Sequence, residues 1–277
     1  MKNLAGWVGK TRVQHDVLGL FPARGLAATL DRDSDVLEEG VPLPRGWHWL
    51  YFHHAVRRSA LGTEGHERLG AFLPPVPLPR RMWAGGRLTF TGDLRLGESA
   101  LRRSTVESIQ EKTGRSGRLV FVTVRHQVEG PRGLAVDEEQ HLVYRELSGA
   151  EVTPVAPPVG PAWSEDFTAD EVTLFRFSAL TFNGHRIHYD YRYATSEEGY
   201  PGLVVHGPLL ALLLLDACGR QGDPPPSQFS YRAQSPLFAG ETFRLEGGRM
   251  PPRGGAGEAE AWVAGSRGVA MRATVGW

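Results

Sequence analysis

The chain has 277 residues, 31 basic against 31 acidic side chains, and one cysteine, Cys218. Charge balanced in this way leaves no field to gather nucleic acid, an anionic membrane or an acidic protein partner, and a lone cysteine excludes an internal disulfide or a cysteine-built metal site. The length allows one large unit or two of moderate size, each with an adequate core.

Met1 to Leu20 carries Lys2, Lys10, Arg12, His15 and Asp16 with no apolar core segment, so no secretory signal is read and a cytoplasmic protein is expected. Ala23 to Leu30 reads as a short helix. Gly40 to Arg81 is rich in Pro, Trp and His and has no period. Strands then announce themselves by alternation. Leu88, Phe90, Leu94 and Leu96 share a face opposite Arg87, Thr89, Thr91, Asp93 and Arg95, and Val120, Val122 and Val124 oppose Phe121, Thr123 and Arg125.

Val152 to Ala162 holds four prolines among small apolar residues, which suits an extended linker. Gly207 to about Arg220 is apolar on nearly every side, the mark of a helix surrounded by protein. Pro208 fits its first position, and Gly219 or Gly222 with Pro224 to Pro226 ends it. Its apolar run, Pro208 to Leu215, is far short of the ~20 residues a bilayer needs. Cys218 on this helix reads as an inert small apolar residue. Phe243 and Leu245 oppose Arg244 and Glu246, Gly254, Gly255 and Gly257 suggest a hairpin turn, and Val269, Met271, Ala273 and Val275 close the chain as a strand.

Leu94-Arg95-Leu96-Gly97-Glu98-Ser99 and Leu237-Phe238-Ala239-Gly240-Glu241-Thr242 share Leu-x-x-Gly-Glu-Ser/Thr, each leading into a strand. The expected organisation is therefore two sheet-and-helix units, residues 1–150 and 163–277, joined by a Pro-rich linker at 151–162.

The chemistry concentrates in FSALTFNGHRIHYD (177–190) and GYPGLVVHGPLLALLLL (199–215). The first sets Asn183, His185 and His188 among apolar positions, a composition suited to moving a proton, since imidazole both accepts and returns one near neutrality. The second opens a helix at His206-Gly207-Pro208, whose first-turn N–H groups lack intrahelical acceptors and favour anionic oxygen. An acid/base beside an anion-stabilising helix end is what reversible hydration of an α,β-unsaturated acyl thioester requires. A bland reading stands beside this one: Asn183-Gly184 as a turn with Gly184 at positive φ, and His206-Gly207-Pro208 as no more than a helix start. His185 and His188 as metal ligands would need further donors, and no HExxH, cysteine pair or acidic cluster supplies them.

These segments resemble the MaoC-like (R)-specific enoyl-CoA hydratases and type 2 hydroxyacyl-thioester dehydratases. Their signature is an aromatic residue, then Ser/Thr-Gly-Asp-x-Asn-Pro-aliphatic-His, followed later by His-Gly at a buried helix. Here Thr181-Phe182-Asn183 stands for Ser/Thr-Gly-Asp and His185-Arg186-Ile187-His188 for Asn-Pro-aliphatic-His; the spacing is kept and the carboxylate is replaced by Asn183. The match is strong from Phe175 to Glu241 and weaker ahead of it, where VPLPRRMWAGG (76–86) fits best.

The resemblance implies an α+β double hot-dog, two antiparallel sheets each wrapped on a helix, the second with the long buried helix, from the branch that includes mesaconyl- and itaconyl-CoA hydratases. The first half would be degenerate, contributing to the groove and not to chemistry. His188 would be the acid/base, Asn183 would position water, and the Gly207 N–H would polarise the thioester carbonyl. His185, His206, Arg80, Arg81 and Trp83 would bind substrate, with Arg80 and Arg81 on an ordered loop gripping a phosphate or a second carboxylate. The implied partner is an acyl thioester of coenzyme A or acyl carrier protein, without metal or other cofactor, acted on by a homodimer. A hot-dog thioesterase using Asp190, Glu197 or Glu198, and a non-catalytic acyl-binding subunit, are the alternatives.

Overall fold

The structure is a computed structural model that describes residues 4–114, 117–146, 154–222, 224–249 and 255–277. The start of the linker at 151–153 and Gly254 of the expected hairpin lie outside the described residues. The first half runs β1 (Thr11–Val17), α1 (Leu20–Thr29), β2 (Arg80–Phe90), β3 (Ser99–Gly114), β4 (Gly117–Gly130) and β5 (Gly133–Arg145). The second runs β6 (Trp163–Thr168), α2 (Glu171–Leu180), α3 (Gly207–Gln221), β7 (Gln228–Ala233), β8 (Thr242–Gly247), β9 (Glu258–Gly265) and β10 (Gly268–Gly276).

All ten strands form one antiparallel sheet in the order β1-β3-β4-β5-β2-β7-β10-β9-β8-β6. The order is the same read inward from either edge, so each half repeats one topology and the halves meet at β2 and β7, paired from Gly85↔Arg232 to Thr89↔Gln228. Glycine makes that seam possible. A Cβ at Gly85 would lie 2.4 Å from the Tyr231 carbonyl oxygen and one at Gly86 2.7 Å from that of Glu139, so β2 fits between β5 and β7 because both side chains are absent.

The structure is the expected α+β double hot-dog with one qualification of detail, that the sheets join edge to edge; among the described residues the long helix belongs to the second half, as expected. Leu209 through Leu215 of α3 are all buried, and the helix packs on β2 and on β7 to β10, so one helix serves strands of both halves. Paired backbone bonds locate what the first half lost. Leu43 N–H donates to Leu94 O as Val205 N–H does to Leu237 O, and Gly97 N–H reaches Leu18 O as Gly240 N–H reaches Ala169 O. Pro44-Arg45-Gly46 therefore occupies the place of His206-Gly207-Pro208. Gly46 adopts a left-handed φ of 84°, which breaks helix continuation, and only a 3₁₀ turn, Trp47–Leu50, follows. Glu138 anchors that turn, accepting from Trp49 Nε1 and facing His48 Nε2, each at 3.0 Å. Burial alone would raise the Glu138 pKa, but these donors hold it down at about 2.

Two local expectations need correction. Arg80 to Gly86 is strand, not loop, because β5 and β7 flank it. Thr91 to Leu96 is a turn leading to β3, not strand, although Leu94 and Leu96 stay buried. Since α3 is the one long helix under the sheet, Leu212→Ala should cost about 2–5 kcal/mol, measured as a lowered midpoint in urea unfolding; an unchanged midpoint would contradict its central packing.

Candidate active site

The segment that carries Asn183, His185 and His188 follows directly from the end of α2. Phe182 takes a positive φ of 48°, so the reversal expected at Gly184 falls two residues earlier. It is stabilised by Asn183 N–H donating to Ser178 O at 2.8 Å, and Asn183 Oδ1 then accepts from His185 N–H at 3.0 Å. The Asn183 oxygen is thus engaged locally with the backbone of the same turn. A 3₁₀ turn, Arg186–His188, brings the His188 ring inward, where Val204 N–H donates to Ile187 O and His188 Nδ1 lies 2.7 Å from Val204 O.

A carbonyl oxygen only accepts, so Nδ1 carries the proton and the neutral ring presents a lone pair at Nε2. The ring is buried, and that burial pulls the His188 pKa down to about 4 against the opposing pull of the Val204 bond. His188 is therefore a neutral base at physiological pH. His206, two residues beyond Val204, stacks on it with centroids 3.6 Å apart and 20° between planes. The His206 Nε2 pairs with Ser178 Oγ at 2.8 Å, while Nδ1 is buried without a partner. Gly207 begins α3 with its backbone beneath β2; a Cβ there would come within 3.6 Å of the Trp83 carbonyl oxygen.

A cavity of about 880 Å³ opens beside this core, its wall including His66, Arg81, Tyr144, His185, Arg186 and Tyr193. His188, Asn183 and Gly207 are not on that wall. His185 links the two, its ring 5.4 Å from His188 and 4.6 Å from His66. Burial lowers His185 to about 3, helped by His188 and Arg81, and pushes His66 and His206 well below the ordinary range. Among the described residues no group of three His, Cys, Asp or Glu side chains is arranged to hold a metal ion.

The structure gathers His185, His188 and His206 and places Asn183 and Gly207 on the segments that carry them, and it shows what three of the expected substrate contacts touch within the protein. Arg80 is buried, its guanidinium bonded to the Glu198 carbonyl oxygen and 3.2 Å from its carboxylate, so it is spent on the fold. His206 is fully buried behind His188 and serves as its support. Trp83 packs edge-on against Trp49 at 5.4 Å, and its indole N–H donates to Gly85 O. Arg81 does reach the cavity.

His66 was invisible to the sequence reading. It sits in the aperiodic 40–81 stretch and is carried in by a loop clamped to the segment of Asn183 to His188. Arg186 N–H donates to Glu64 O, and Gly65, at φ 95°, passes so close that a Cβ would sit 1.9 Å from Gly184 O. Gly-x-x-Gly-His at 62–66 was the one available signal.

Residues 46–239 match the family model for hydroxyacyl-thioester dehydratase type 2. The chain belongs to that family. Within it, a mesaconyl-C(4)-CoA hydratase from Chloroflexus aurantiacus is 48% identical over 243 residues, 86% of each chain. The dehydratase fold is shared with a MaoC-like dehydratase structure at TM-score 0.74 and 14% identity, covering 99% of this chain and 98% of that one. A double hot-dog protein from Mycobacterium tuberculosis superposes at TM-score 0.59 and 16% identity, over 98% and 96% of the two chains.

The four depressed histidines around the cavity, His188 among them, predict that stability falls in acid. Unfolded, each titrates near 6.5, whereas the native state keeps them neutral, so below that value the unfolded chain binds more protons and stability falls. The His188 share of the loss should be complete near pH 4, its folded value. Urea midpoints should thus fall from pH 7.5 to pH 5, and His188→Gln should flatten part of the slope; a midpoint independent of pH would refute the assigned neutral states.

Proposed function

We propose that the protein is a hydro-lyase that adds water to a 2-enoyl thioester, or removes it from a 3-hydroxyacyl thioester, of coenzyme A or acyl carrier protein. The observation that carries the reading is the His188 Nδ1 bond to Val204 O, which leaves Nε2 as a lone-pair base. In the hydration direction Nε2 takes a proton from water as the oxygen bonds to the β carbon. The π electrons move toward the thioester oxygen, where the Gly207 N–H stabilises the charge in a poorly solvated setting. The imidazolium then returns its proton to the α carbon. Asn183 orients the water through its amide N–H groups, and His185 borders the acyl group.

No metal or redox cofactor enters these steps, because imidazole handles both proton transfers. The named relative's substrate supports a short dicarboxylic acyl group, as in mesaconyl thioesters. Of the acids the thioesterase alternative would use, Glu198 holds Arg80 and Asp190 pairs with Arg186 at 2.7 Å, which leaves Glu197 on the cavity wall as its candidate. Among the described residues no helix is long and apolar enough to cross a membrane. With its buried free thiol, Cys218, the protein suits a reducing cytoplasm, and a symmetric homodimer is the proposed assembly.

Incubation with crotonyl-CoA should remove enoyl absorbance without releasing thiol; thiol release would mean a thioesterase, and neither change with any of several acyl chains would mean a binding subunit. His188→Ala should lower kcat by ~10²–10⁴-fold, with near-native activity in the folded variant contradicting the mechanism. Because the base must be neutral, kcat/KM should fall as pH drops through about 4, the depressed value of His188, and not near 6.5.

A further inference from the structure

We infer that Arg81, together with Tyr144, is the specificity-determining site that holds a free carboxylate on the acyl group of the substrate; this rests on the hydratase reading above. Adjacent residues of a strand point to opposite faces. On β2 that separates two neighbouring arginines into different roles: Arg80 is tied to Glu198, while Arg81 turns into the 880 Å³ cavity. Among the described residues no carboxylate lies within ion-pair distance of Arg81.

Arg81 stands directly opposite Tyr144 in the β2–β5 register, so the two side chains share one face. Tyr144 is fully buried, and its hydroxyl has no well-formed hydrogen bond. Burial raises the Tyr144 pKa and nearby Glu64 adds to the rise, while Arg81 opposes it both by its charge and as a donor toward the phenol oxygen. A buried phenol and a guanidinium with no carboxylate in ion-pair distance, side by side on one face, can together donate to the two oxygens of a carboxylate. The same cation acts on His66 and His185, and His185 touches His188, so the carboxylate would sit one ring away from the reacting base. That reach matches a short acyl chain.

Glu64, Glu197 and Glu198 share the wall with Arg68 and Arg186, and Glu198 is paired with Arg80. Arg186 is spent on Asp190, and Arg68 donates to the Leu61 carbonyl oxygen, so Arg81 is the cation placed to face the imidazoles. A phosphate of coenzyme A has the same charge and would suit the same donors, so the test must separate the two.

The experiment compares Arg81→Gln and wild type with mesaconyl-C4-CoA, which keeps a free carboxylate, and with crotonyl-CoA, which has none, on both the coenzyme A and the 3′-dephospho-coenzyme A carrier. Arg81→Gln should lose at least about 30-fold in kcat/KM with the dicarboxylic substrate, as for a lost buried charge contact, and stay within about threefold of wild type with crotonyl-CoA. Tyr144→Phe should show a smaller loss with the same selectivity, and it decides the matter if Arg81→Gln does not fold. Equal losses with both acyl groups that vanish on the dephospho carrier would assign Arg81 to the phosphate and overturn the proposal, as would no loss with either. A wild type that hydrates crotonyl-CoA without favouring the carboxylate overturns the proposal and leaves the hydratase reading standing; one that hydrates neither overturns both.

Discussion

The hydrogen bond from His188 Nδ1 to the Val204 carbonyl oxygen is the constraint on which the site depends. It joins the loop after α2 to the segment that becomes α3, and it decides which nitrogen of His188 can act. The reverse contact, Val204 N–H to Ile187 O at 2.9 Å, makes the join two-stranded, so the ring is held by backbone rather than by mobile side chains. His206 then fills the space behind, stacked on His188 and tethered to Ser178, and Gly207 follows at once as the open start of α3. Base and helix end are thus fixed relative to each other within a few residues.

That arrangement exists once because the fold repeats and the site does not. Both halves share strand order and the turn pattern around Gly97 and Gly240, yet the stretch that is His206-Gly207-Pro208 in one is Pro44-Arg45-Gly46 in the other. The first half, whose described residues hold no long helix, supplies walls. Its β2 lies over Gly207, its Trp47–Leu50 turn is anchored on Glu138, and its 61–67 loop brings His66 against His185. The cavity is built between halves, and each alone would leave it open.

What the sequence revealed followed from periodicity and local spacing. The span of α3 was readable because every face is apolar, and the strands at Val120 to Val124 and Phe243 to Leu245 because their alternation meets one buried face. Asn183, His185 and His188 were found because they fall within a few residues of one another. The hidden parts depend on contacts distant in sequence. Gly85-Gly86 looked like a loop, since the neighbours that require their missing side chains, Glu139 and Tyr231, are known only once the sheet is assembled. Arg80 and Arg81 looked equivalent because the start of β2 lay in a Pro-rich stretch, where the opposite facing of adjacent strand residues has no pattern to signal it. His66 belongs to a loop whose place is set by a backbone contact with Gly184, far along the chain.

The central claim concerns one proton on one ring. ¹⁵N NMR of the histidine-labelled protein, with the His188 signals assigned by substitution, reports both the tautomer and the titration of that ring. The account predicts a neutral His188 at pH 6, protonated at Nδ1 with a bare Nε2, that titrates only near 4. An Nε2–H tautomer, or an imidazolium at pH 6, would contradict it.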